Sequence, residues 1–202
     1  MQKRLAILAT AGVWLAVSAA MAKPAPQSHI RGTIETVGEN SLTVATRDGQ
    51  TVTVALKQPL TVSTVKRLDI SAIRSGTFIG AAARPGPNGE LVAMEVVVFP
   101  ESLRGTGEGD YPWDLAPGTS MVNANISALV ENEAGRDLTL SYKGGSTKVL
   151  VPPNVPIVQP VPAQRGDLKP GAPVFFTPTR AADGSLSTAR VIVGKDGVAP
   201  PM

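Results

Sequence analysis

The residues best equipped for chemistry lie close together in Arg104-Gly-Thr-Gly-Glu-Gly-Asp-Tyr-Pro-Trp-Asp-Leu115, where three glycines, three carboxylates, Arg104, Tyr111 and Trp113 share twelve residues. Glu108, Asp110 and Asp114 could supply oxygen ligands to a hard cation or polar groups to a binding cleft. Their spacing departs from that of an EF-hand loop. The same residues also make a structural wedge, with Tyr111 and Trp113 folding down as a large apolar payload while Gly105, Gly107 and Gly109 provide the turns. The wedge is the expectation adopted for this stretch, and Arg104, Glu108, Asp110, Tyr111, Trp113 and Asp114 are the candidate junction or binding residues.

Outside this stretch the chemistry thins out. The chain has no cysteine and one histidine, His29, which excludes thiolate catalysis, disulfides, zinc–cysteine sites and two-histidine metal sites. His29 stands near the start of the exported chain and is expected to be a solvated tail residue. Ser63-Thr-Val-Lys66 has the serine–lysine spacing of penicillin-binding proteins, but that pairing needs a helix, and here it falls in an alternating β-run. Lys143-Gly-Gly-Ser-Thr-Lys148 has the letters of a phosphate loop, yet Val-Leu-Val follows where a helix should start. No catalytic residue, metal site or cofactor is expected, and the protein is not expected to be an enzyme.

Gln2-Lys3-Arg4, the apolar run from Leu5 to Ala20 and the small-x-small Ala20-Met21-Ala22 make residues 1–22 a cleavable signal peptide, leaving a soluble chain from Lys23 with no membrane span. The formal charge of +3 falls to +1 when Lys3 and Arg4 leave. That balance, and strands 30–56 without an aromatic residue, argue against nucleic acid, which needs a basic groove and stacking rings. The expected location is periplasmic or secreted.

The elements that must position these residues are strands. Ser41-Leu-Thr-Val-Ala-Thr-Arg-Asp-Gly-Gln-Thr-Val-Thr-Val54 reads as two alternating strands about a two-residue Asp-Gly turn, and Asp137 to Leu150 repeats that form about Gly-Gly. Ile73-Arg-Ser-Gly76 matches Leu168-Lys-Pro-Gly171, and Asn88-Gly-Glu-Leu91 matches Asp183-Gly-Ser-Leu186, both 95 residues apart. A shared offset points to duplication. The first copy should have strands at 30–37, 41–47, 50–56, 76–84 and 90–99, with a single turn at 69–73 between the third and fourth. Eight prolines between Val151 and Pro178 should keep that part of the second copy on an edge. The expected fold is all-β: two tandem five-stranded OB-like barrels, 30–100 and 122–197, joined by a Gly/Pro/Trp-containing linker at 101–121, with tails at 23–29 and 198–202.

Ile30-Arg-Gly-Thr-Ile-Glu35, the Asp-Gly hairpin, Phe99 to Gly109, Pro112-Trp-Asp-Leu115 and Val193-Gly-Lys-Asp-Gly197 are spread over nearly the whole exported chain. In these it resembles a family of exported bacterial proteins built on the small barrel called domain of unknown function 5666. The resemblance implies a periplasmic OB-like barrel and supplies no catalytic residues. The function expected is a non-enzymatic binding or assembly module for an envelope protein or small ligand. Alternatives are a cation- or solute-binding accessory of an envelope transport system, with Glu108, Asp110 and Asp114 in one pocket, and an envelope hydrolase using Ser63 and Lys66.

Overall fold

A computed structural model describes residues 29–200. The expected signal peptide, the rest of the N-terminal tail and residues 201–202 lie outside these. The described chain is all-β. Its strands are β1 Ile30–Val37, β2 Ser41–Thr46, β3 Thr51–Arg67, β4 Phe78–Pro85, β5 Leu91–Val98, β6 Gly109–Trp113, β7 Thr119–Asn132, β8 Gly135–Tyr142, β9 Gly145–Val151, β10 Ile157–Pro162, β11 Pro173–Phe176, β12 Thr179–Arg180 and β13 Leu186–Val193. Single 3-10 turns occupy Ile70–Ala72, Glu101–Leu103 and Arg165–Asp167. Among the described residues no helix is long and apolar enough to cross a membrane.

Alternation does what the sequence asks of it. Ile30 and Ile34, Leu42 and Val44, and Val54 and Leu56 turn to one buried face of β1, β2 and β3. Gly32 is required where β1 passes closest to β2, because a Cβ there would lie 2.1 Å from the Ala45 carbonyl oxygen. The first hairpin turns differently from expectation. Thr46 N–H donates to the Gln50 carbonyl at 2.7 Å and Gly49 takes φ of +82°, so Arg47-Asp48-Gly49 form a three-residue loop. In the second, Tyr142 pairs with Gly145 and the two-residue turn is Lys143-Gly144.

The larger correction concerns which strands share a core. β1 pairs β2, β2 pairs β3, β3 runs parallel to β13, β13 pairs β11, and β11 returns to β1. That ring of five takes three strands from the first half of the chain and two from the second. Five others close the same way: β4 with β5, β5 parallel to β9, then β8, β7 and back to β4. The cores divide accordingly. Ile34, Leu42 and Val62 pack with Leu168, Val174, Phe176 and Val191, while Ile79, Val96 and Val98 pack with Val122, Leu138 and Val149. Neither 30–100 nor 122–197 therefore owns a core.

The cause is the length of β3. Instead of ending at residue 56 it continues through Thr61-Val-Ser-Thr-Val65, four of whose five residues are β-branched, to Arg67, which carries the chain out of one ring and delivers β4 and β5 to the other. The stretch in the second half that occupies the corresponding place is split at Pro152-Pro153 into β9 and β10. β10 is not the edge strand its prolines suggested. It lies between β3 and β5, bonded to β3 from Val158 to Pro162 but to β5 only at Ile157 and Val158. Pro160 and Pro162 fall beyond the β5 contact, where a missing N–H leaves no ladder bond unmade. The stretch 101–121 is likewise more than a linker, since it contains β6, paired to β7 from Gly109↔Asn123 to Trp113↔Thr119. At the far end Val198 bridges back to Lys195 and Pro200 is buried, so the described part of the C-terminal tail is attached.

Exchange of this kind makes each half dependent on the other. Residues 23–104 and 105–200 expressed separately should each lack dispersed amide resonances, and mixing them should restore dispersion and shift Trp113 emission to the blue. An isolated half that gives a native-like monomer spectrum would contradict the shared cores.

Candidate functional site

β6 is the element that brings the candidate residues to the seam between the two rings. Its alternation sets Tyr111 and Trp113, both half-buried, on the inner side and leaves Asp110 and Pro112 exposed on the outer. The sharp approach is fixed at Pro112, whose ring restricts its own φ and holds Tyr111 extended.

Trp113 lands on the first ring. Its ring centre is 4.0 Å from that of His29 and 6.4 Å from that of Phe175. The Arg31 guanidinium carbon lies 5.6 Å from the Trp113 ring centre and 5.3 Å from Phe175, a cation held between two aromatic faces. Asp114, the next residue, closes a clasp. Arg31 Nη2 donates to Asp114 Oδ1 at 2.6 Å, His29 Nδ1 lies 2.9 Å from the same oxygen, and the His29 backbone N–H donates to Oδ2 at 2.8 Å. His29 is thus not a solvated tail residue. Its side chain is 12% exposed, because the ring contacts with Trp113 and Phe175 and two bonds to Asp114 outweigh the freedom of a chain end.

The clasp has a clear electrostatic logic. Arg31 is buried, and a buried guanidinium needs a charged partner. Burial alone would raise the Asp114 carboxyl, but the bonds from Arg31 and His29 overcome it and bring it down to about 2. For His29, burial and the nearby Arg31 charge push the imidazole below its usual range against the pull of Asp114.

The other candidates disperse. Arg104 is held by Glu101, with Nε to Oε1 at 2.6 Å and Nη2 to Oε2 at 2.8 Å, and reaches the Gly76 carbonyl at 3.1 Å and Asn125 Oδ1. Glu108 accepts from the Lys143 N–H at 3.1 Å, and partial desolvation raises the carboxyl of the largely exposed Asp110. Asp114 is committed to Arg31 and His29, so the three carboxylates do not converge, and among the described residues no cluster of three or more His, Asp and Glu could hold a metal ion. Ser63 and Lys66 sit three apart on β3, on opposite faces of the strand. The contact that the hydrolase alternative requires is absent.

What the sequence did not disclose is the space beside Trp113. A cavity of about 240 Å³ lies at the seam, walled by the rings of Phe99, Tyr111, Trp113 and Phe175 and by Ala82, Val97, Met121, Pro160 and Ile192. Glu95 and Asn123 bring polar atoms to its lining. Asn123, 6% exposed, donates through Nδ2 to the Thr106 carbonyl at 3.2 Å and to Tyr111 Oη at 3.1 Å. The only advance sign was an asparagine at the apolar-flanked position of Val122-Asn-Ala124.

Two outcomes are expected of the clasp and wedge. Trp113→Ala should cost about 3 kcal/mol in denaturant unfolding, the lower part of the range for large aromatics because Trp113 is half-buried. Glu108→Gln with Asp110→Asn should cost less than about 1 kcal/mol, as exposed carboxylates do. Both groups of the clasp have folded values below their unfolded ones, so the unfolded chain binds the extra protons and stability falls as the pH is lowered. The His29 contribution is lost as pH drops below 6.5, and that of Asp114 from 3.8 to about 2. Thermal midpoints measured from pH 7 to pH 2 should therefore decline in two stages, with His29→Gln flattening the upper stage and Asp114→Asn the lower. Compared with known proteins, the chain matches no family model, no curated protein and no solved structure.

Proposed function

We propose that this chain is a non-enzymatic binding module of the bacterial envelope, exported by residues 1–22, in which two OB-like barrels hold a small ligand at their seam. The observation that carries the reading is the cavity itself. Its walls are almost wholly apolar and aromatic, with a few polar atoms placed among them, the usual make-up of a small-molecule site. The strand order within each ring supports the barrel description: three consecutive strands, then the fifth and fourth of the other copy, with a single 3-10 turn between the third and fourth. The offset supports duplication, since the 3-10 turns Ile70–Ala72 and Arg165–Asp167 and the strands Leu91–Val98 and Leu186–Val193 are each 95 residues apart. The resemblance to the family of domain of unknown function 5666 favours the same compartment and leaves the ligand open.

Binding at the seam has a direct test. Naphthalene should bind the purified protein saturably and one to one by calorimetry, and Ala82→Leu, which adds bulk at a lining position, should abolish the heat while leaving the thermal midpoint within a few degrees. Wild-type protein that takes up no naphthalene would overturn the reading.

A further inference from the structure

Asn123 marks the chemistry of the ligand. Both hydrogens of its Nδ2 are used, by the Thr106 carbonyl and Tyr111 Oη, and the carbonyl fixes the orientation of the amide, since turning it over would set two acceptor oxygens against each other. Oδ1 is therefore directed the other way. It is buried and accepts no hydrogen bond from any described residue. It lies over Gly80, another cavity-lining residue, and glycine is what permits this: a Cβ at position 80 would be 2.5 Å from Oδ1. A buried acceptor without a donor costs free energy that a ligand could return by supplying one.

The walls add the rest. A cavity of about 150 Å³ accepts benzene, so about 240 Å³ has room for a second fused ring, and the aromatic side chains Phe99, Trp113 and Phe175 in its wall favour an aromatic body. We infer that the seam binds a small bicyclic aromatic molecule that carries an N–H or O–H donor, with that donor bonded to Asn123 Oδ1. This rests on the cavity being a binding site, and it goes further by giving the ligand a polar handle and a partner for it.

Indole and 1-methylindole separate the two ideas, because they share the bicyclic body and differ in the donor. Calorimetric titration of the full exported chain should show indole binding about tenfold tighter than 1-methylindole. In Asn123→Leu, which keeps the volume and removes the acceptor, that ratio should fall to about one while 1-methylindole still binds; Asn123→Asp, which keeps an acceptor oxygen, should retain a preference for indole. Equal affinity of the two compounds for wild-type protein would overturn the donor assignment and leave the binding module standing. A tenfold preference that survives Asn123→Leu would overturn the role of Asn123. Failure of both compounds, with naphthalene, to bind at all would overturn the inference and the reading beneath it.

Discussion

The antiparallel crossing of β3 and β10 is the constraint from which the rest of the molecule follows. Val65 faces Pro160 across that ladder, and the two residues are 95 apart, the same spacing that separates the 3-10 turns Ile70–Ala72 and Arg165–Asp167. Equivalent positions therefore meet each other at the centre of the crossing, as at a local two-fold axis. On either side of it the chain leaves one ring and enters the other. The parallel contacts repeat with the same symmetry: Val191 lies beside Val62, and Val96 beside Ile157. Every strand that closes a ring reaches it through this crossing. A small β-unit of some seventy residues without disulfides has little apolar area to bury on its own. Sharing strands replaces two weak cores and a docking surface with two cores that are each completed by the other half.

The two rings are alike inside and differ at the seam. Ile34 and Ile126 both precede a register shift in their strands, which makes Arg31 and Asn123 equivalent positions. Arg31 stands opposite Phe175, and Asn123 opposite Gly80. At one place the pair is a cation on an aromatic ring, clasped by Asp114 and covered by Trp113; at the other it is an amide over a bare glycine. A ring at position 80 would leave no space for the amide, and the cavity would be lined on both sides by bulk. Asymmetry at this one pair, between backbones that otherwise correspond, is what opens a space beside Trp113 and sets a polar atom in its wall.

Much of the fold was legible because alternation reports local burial. The bounds of β1 agree to the residue, β2, β4 and β5 to within two, and the turn at 69–73 became the 3-10 turn Ile70–Ala72. Alternation, however, says that Val174 and Phe176 are buried without saying against what. Two cores built from the same alternation want the same kinds of residue, so the pattern is indifferent to which half supplies them, and the exchange could not be read from it. The clue was the β-branched run 61–65 continuing past Pro59, which reads as strand if the proline is allowed an unpaired edge. Proline also misled at β10, where the rule concerns N–H groups one by one and the segment was judged as a whole. Trp113 and Asp114 were recognised as junction residues, but their partners His29, Arg31 and Phe175 are far off in sequence.

The position of the clasp relative to the cavity carries the last step. Trp113 is shared between them: one side of its ring meets His29 and Arg31, and the residue also walls the cavity. Its placement is set on the N-terminal side by the ladder of β6 with β7 and on the C-terminal side by Thr119 Oγ1 donating to the Trp113 carbonyl at 2.9 Å and by Asp114 bonded to Arg31 and His29. A half-buried tryptophan on a chain between two rings would ordinarily sample several rotamers. Here the backbone on each side is tied, so the wall is formed before anything enters and little ordering remains to be done on binding. The wedge and the proposed binding site, set against each other when the segment is considered alone, are compatible in the folded chain. The residues that dock β6 onto the first ring are also those that hold the cavity open.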